Sequence, residues 1–121
     1  MPTRTPFARL RAICLKLPEA HEVEAWGEPT FRVRNKIFAI YASAENHHGR
    51  GCPAVWCKGT QIDQEYLVRD NPRRFFVPPY VGPYGWVGVR LDGKPDWDNI
   101  AELLRIAYKR AAPKKLAAKL T

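Results

Sequence analysis

Apolar residues recur in two rhythms along this chain, and the change from one to the other marks its elements. Phe7, Leu10, Cys14 and Leu17, with Ile13 beside them, fall at helical spacing. Thr5 and Pro6 suit the cap and first turn of that helix, and Pro18 ends it. His21 to Trp26 reads as a first strand, and Gly27-Glu28-Pro29 as the turn after it. Phe31 and Val33 then alternate with Thr30, Arg32 and Arg34, the period of a half-buried strand. Arg34-Asn35 is the expected two-residue turn, because asparagine tolerates a left-handed backbone. The next strand covers positions 36 to 42. Simple alternation puts Phe38 and Ile40 on one side and Ile37 and Tyr41 on the other, so both faces are apolar and the strand is central.

Positions 43 to 53 are polar and are expected to project as a long hairpin loop. Ala54 to Lys58 returns as a strand. Thr60-Gln61-Ile62-Asp63 resembles a capping box, opening a short helix to about Arg69 that Asp70-Asn71-Pro72 stops. Pro78 and Pro79 confine the strand before them to something short or at an edge. Positions 79 to 85 are read as a second projecting loop, followed by a strand with Val87, Val89 and Leu91 inward. Asp96 caps a helix whose apolar stripe is Trp97, Ile100, Leu103, Leu104, Ala107 and Ala111. After Pro113 a last basic helical turn or two runs to Leu120. Helices at both ends of a meander of strands imply an α+β two-layer sandwich, with a mainly antiparallel sheet of five to six strands packed by the N- and C-terminal helices.

The glycine-bounded stretch Gly85-Trp86-Val87-Gly88-Val89, with Lys36-Ile37-Phe38-Ala39 upstream and Asp96-Trp97 downstream, resembles the MmcQ/YjbR-like family of small bacterial proteins. Trp26, Pro29-Thr30-Phe31-Arg32-Val33, Ala107-Tyr108 and Ala112-Pro113 extend the likeness over positions 5 to 120. The resemblance implies an α+β fold related to the bacterial frataxin homologue. It also implies a DNA-binding role with a double-wing arrangement of loops.

Length and composition agree with a single domain over 1–121. An apolar content of 45 % and a charged content of 26 % are those of a globular protein. No apolar run approaches the roughly 20 residues of a membrane span, and Met1-Pro2-Thr3-Arg4 lacks the apolar stretch of a signal peptide, so a cytoplasmic protein with no membrane partner is expected. Three cysteines, Cys14, Cys52 and Cys57, fit reduced thiols better than a disulfide framework.

Charge changes the picture most. Of the net +8, residues 1–18 carry +4 and residues 105–121 carry +6, without an acid in either, while the middle of the chain sums to −2. A one-sided basic surface attracts polyanions through Coulomb attraction and counterion release. The alternative is that solvated lysines and arginines only keep the chain in solution. The candidate phosphate-neutralising residues are Arg9, Arg11, Arg50, Arg73, Arg74, Lys109, Arg110, Lys114 and Lys115, with His47 and His48 as auxiliaries. Tyr80, Tyr84 and Trp86 are candidates either to stack on bases or to line a concave surface between the sheet and the 78–86 loop. For Trp86 a packing role in the core competes with both.

Catalytic chemistry finds little purchase. His47, His48, Cys52 and Cys57 have ligand chemistry but no zinc spacing, so no metal or other cofactor is expected. A Cys52 nucleophile lacks any signature pairing it with a base, and there is no Gly-x-Ser-x-Gly elbow. Gly82-Pro83-Tyr84-Gly85-Trp86-Val87-Gly88 precedes a strand and not a helix, so it aims no helix N-terminus at phosphate. Iron prefers carboxylate oxygen, and the first helix carries Arg9, Arg11 and Lys16 instead. The expectation is a monomeric, non-enzymatic DNA-binding protein of weak sequence specificity. The alternative is a small protein- or ligand-binding domain whose basic charge is incidental.

Overall fold

A computed structural model describes residues 5–43 and 52–120 of the chain. Helix α1 (Pro6–Leu15) begins where Thr5 Oγ1 accepts the Ala8 N–H, with Pro6 at a position that needs no donor. Strands β1 (His21–Ala25), β2 (Glu28–Val33), β3 (Lys36–Ala42) and β4 (Ala54–Cys57) follow. Helix α2 (Gln61–Asp70), capped by Thr60 Oγ1 on the Asp63 N–H, leads to the two-residue β5 (Phe75–Phe76) and then to β6 (Val87–Arg90). Helix α3 (Trp97–Ala111) is capped by Asp96, and the short α4 (Lys114–Ala117) ends the fold with a 3₁₀ turn over Ala118–Leu120.

The six strands form one sheet in the order β1-β2-β3-β4-β6-β5, and every pair in it is antiparallel. The helices lie on one face of it, as the two-layer α+β reading requires. Their core joins Leu10 and Cys14 of α1, Ile100, Leu104 and Ala107 of α3 and Leu116 of α4 to Phe31, Val33, Val55, Val87 and Val89 of the strands. Leu67 and Val68 of α2 pack on its margin. Tyr108, absent from the stripe read from the sequence, is fully buried in α3 and meets Phe38 edge-on at 5.6 Å between ring centres.

Two details of the sheet depart from the sequence reading. The first turn comes one residue early. Trp26 and Gly27, at φ 56° and 79°, form the tight hairpin connection, and Ala25 pairs with Glu28. Pro29 therefore lies inside β2, opposite Glu24. The second departure is a bulge in β3. Phe31 pairs with Ala39 but Arg32 with Ile37, so Phe38 has no opposite number. The extra residue breaks the alternation. Phe38 and Ala39 both join the helix-side core, while Ile37 and Ile40 both belong to the other face. The expected pairing of Phe38 with Ile40 on one side is wrong for that reason.

That other face carries a second apolar cluster: Ile40, Ala42, Trp56 and Trp86, flanked by Ile37, Phe76 and Val81. No residue of the described α-helices belongs to it. Gly88 sits beneath the Phe76 ring, where a Cβ would overlap the aromatic carbons.

Candidate functional sites

Two surfaces hold candidate site residues, one on each side of the sheet. The helical side gathers the basic ends of the chain. Helices α1 and α3 lie alongside one another, with the Arg9 guanidinium 4.7 Å from the centre of the Trp97 ring near their starts. Near their ends, the Tyr108 hydroxyl donates to the Pro18 carbonyl at 2.6 Å. The last 3₁₀ turn folds back on α3, since the Arg105 guanidinium donates to the Leu120 carbonyl at 2.6 Å. Segments 90 residues apart in sequence thus share one layer.

Within that layer the basic residues differ in how far they are committed. Arg11 is held by Glu22 at 2.6 Å, and Arg110 by Asp63 at 3.1 Å. Both pairs are largely solvated and contribute little stability. Lys109, Lys114 and Lys115 are exposed and have no carboxylate within ion-pair distance among the described residues. Arg34 bonds Glu19 through two nitrogens, at 2.7 and 3.2 Å, and this contact holds the Glu19 carboxyl below its ordinary value. Lys119 acts in the same direction.

Arg73 and Arg74 belong elsewhere. Arg74 donates to the carbonyls of Arg90 and Asp92 and faces the Asp92 carboxylate at 3.8 Å, so its guanidinium closes the end of the β5–β6 pair. Arg73 is exposed beside it. Arg50, His47 and His48 lie outside the described residues.

The 79–85 loop does not extend from the fold as a second arm. Its 3₁₀ turn, Gly82–Tyr84, is held against α2. Gln64, only 6 % exposed, donates to the carbonyls of Gly82 and Trp86 at 2.9 and 2.6 Å, and Gln61 donates to that of Pro83. Gly85 closes the turn at φ 90°, where a Cβ would come within 2.6 Å of the Thr60 carbonyl carbon. The buried amide of Gln64 overrides the projecting geometry that two prolines and two glycines suggest.

This pinned loop walls a groove on the opposite side of the sheet. The groove encloses about 500 Å³, a volume suited to a small ligand. Its floor is Ile37, Ile40, Ala42, Trp56 and Trp86, and its rims are Trp26 and Tyr80. Of the three aromatic candidates, Tyr80 and Trp86 line it and Tyr84 does not. Trp86 is buried in its packing, whereas Tyr80 is 70 % exposed. Sequence reading missed Trp26, Trp56 and Glu28 as lining residues. The register pairs Trp56 with Ile40, which face alternation alone does not give. Glu28 escapes notice when the turn is placed one residue late.

Two of the three thiols are buried. Cys57 lies in the core, where burial raises its thiol to about 12, and burial likewise pushes Cys14 up. Cys52 is half-buried, its Sγ 3.7 Å from Asp92 Oδ2. Among the described residues no three histidine, cysteine or acidic side chains cluster as metal ligands would. None of the described helices is long and apolar enough to cross a membrane.

Among solved structures, the fold is similar to that of protein DR2400 of Deinococcus radiodurans, described with the family domain DUF419. The TM-score is 0.75 at 21 % identity, over 98 % of this chain and 91 % of that one. It is also similar to a protein from Pseudomonas syringae, with a TM-score of 0.71 at 12 % identity over 87 % of this chain and 97 % of that one. At those identities the likeness concerns the fold alone. No curated protein matches the sequence. The sequence profile of the YjbR family matches residues 15–110, most of the chain, and the protein belongs to that family.

Proposed function

We propose that the protein binds DNA through its helical layer and without reading base sequence. The observation that carries this reading is the convergence of the two basic ends of the chain on one side of the sheet, through the α1–α3 and α3–α4 contacts. Lys109, Lys114 and Lys115 are its principal phosphate partners, because they are exposed and not already neutralised by a described carboxylate. Arg9 adds its charge over Trp97, and Arg11 and Arg110 exchange their surface pairs with Glu22 and Asp63 for phosphate at little cost. Arg74 has no part in it, being bound to backbone carbonyls. The helices carry no motif that aims base-reading side chains into a groove, so affinity follows charge. The reading contains no catalytic step.

The test is a salt titration of duplex binding, followed by fluorescence anisotropy. Binding is expected in the range of non-specific complexes, with Kd roughly 10⁻⁴ to 10⁻⁶ M. Lys114→Gln together with Lys115→Gln should reduce the slope of log K against log salt by about 1 to 2 units. An unchanged slope, or no association at low salt, removes the proposal.

A further inference from the structure

The groove on the open face differs chemically from the rest of this protein. In a chain with net charge +8 its lining contains no lysine, arginine or histidine among the described residues. Two described guanidinium groups of the strands, Arg32 and Arg90, are turned to other work. Arg32 donates to Thr30 Oγ1, and Arg90 lies over the Phe76 ring and donates to the carbonyls of Pro72 and Arg73. Among the described residues the lining holds one acid, Glu28, which is 8 % exposed and accepts the Ser43 N–H through Oε2. The lining also holds the aromatic residues Trp26, Trp56, Tyr80 and Trp86, whereas the Tyr41 ring packs on Phe7 of the helical side.

The two rim aromatics are also held in an unfavourable backbone. Trp26 at φ 56° and Tyr80 at φ 64° occupy the left-handed region, which bulky side chains rarely adopt. Both are largely exposed, at 77 % and 70 %, so core burial does not repay the strain. Such conformations are costly, and strain of this kind clusters at ligand clamps. Asparagine or glycine would serve the Trp26-Gly27 turn better, so the indole answers to something other than the turn.

We propose that this groove binds an organic cation carrying a methylated or alkylated ammonium head on an apolar body, with the aromatic side chains around the head and Glu28 as its counter-charge. Aromatic rings attract such a head electrostatically and lose little in desolvating it. An anionic ligand would meet Glu28 with no cation among the described lining residues to offset it, which disfavours phosphate in this groove. An uncharged apolar ligand would fill the volume but would not use the carboxylate.

The experiment compares 3-hydroxyphenyltrimethylammonium with 3-tert-butylphenol, which has the same shape and no charge. Indole Nε1–H shifts of the full-length protein report occupancy. The cation should bind about tenfold more tightly than its neutral counterpart. Glu28→Gln, which keeps an acceptor for Ser43, should weaken the cation several-fold and so narrow that preference to what the aromatic rings supply. Trp26→Asn should weaken the cation several-fold while leaving the unfolding midpoint equal or higher, since asparagine accepts the left-handed turn. Equal affinity for the two probes, no binding of either, or a Glu28→Gln protein that prefers the cation as strongly as the parent would each overturn the proposal. The lysine variants of the helical layer should leave this binding unchanged, which keeps the two surfaces distinguishable.

Discussion

The Tyr108 hydroxyl donates to the Pro18 carbonyl at 2.6 Å, across 90 residues of sequence. The bond locks the C-terminal part of α3 to the end of α1, and with it the two basic ends of the chain. Burial raises the Tyr108 phenol above its ordinary value, so it stays a donor throughout the neutral range. Tyr108→Phe keeps the ring against Phe38 but leaves the Pro18 carbonyl without this donor. A loss of about 1 to 2 kcal/mol is expected, read as a lower midpoint with an unchanged slope in urea unfolding. An unaltered midpoint would mean that ring packing alone joins the helices.

Gly85 is the point at which the groove wall meets α2. At its φ of 90° any Cβ would stand 2.6 Å from the Thr60 backbone, with no soft atom to yield. Gly85→Ala should therefore destabilise the fold by about 2 kcal/mol or more. The lesion should also release the Gln64 bonds to Gly82 and Trp86, which faster amide exchange in residues 82–86 would register. Native exchange rates in a destabilised variant would place the strain elsewhere.

The thiols should separate by position. Cys52 is expected to react with a disulfide reagent in the native protein at neutral pH, and Cys14 and Cys57 only after unfolding. The same burial sets an alkaline limit on stability. The folded Cys57 thiol is raised from an ordinary value near 9 to about 12, so unfolding exposes a group that gives up its proton more readily. Its contribution is complete below pH 9 and is lost progressively as pH rises toward 12. Cys57→Ala should flatten that part of the stability profile. A profile identical to that of the parent would show that other groups govern it.

Local chemistry was enough to read most elements. Thr5, Thr60 and Asp96 cap the helices they were expected to cap, and Arg34-Asn35 makes the expected turn, because capping and left-handed turns depend on residues a few positions apart. The short β5 and the antiparallel sheet also follow from proline placement and hairpin spacing. The basic character of both ends was plain from charge alone.

Tertiary structure decided what lies beside what. Periodicity has no means of foreseeing that β3 would spend an extra residue at Phe38, since the bulge satisfies packing against Tyr108 on one side and an aromatic floor on the other. Nor does it show Trp26 and Tyr80 facing one groove, because they are brought together by a sheet register and by a loop that Gln64 holds down. The chain's own residues determined its helices, strands and positive charge through short-range physics. The groove and the shared basic layer arose from contacts between distant segments, which close only when the whole sheet is assembled.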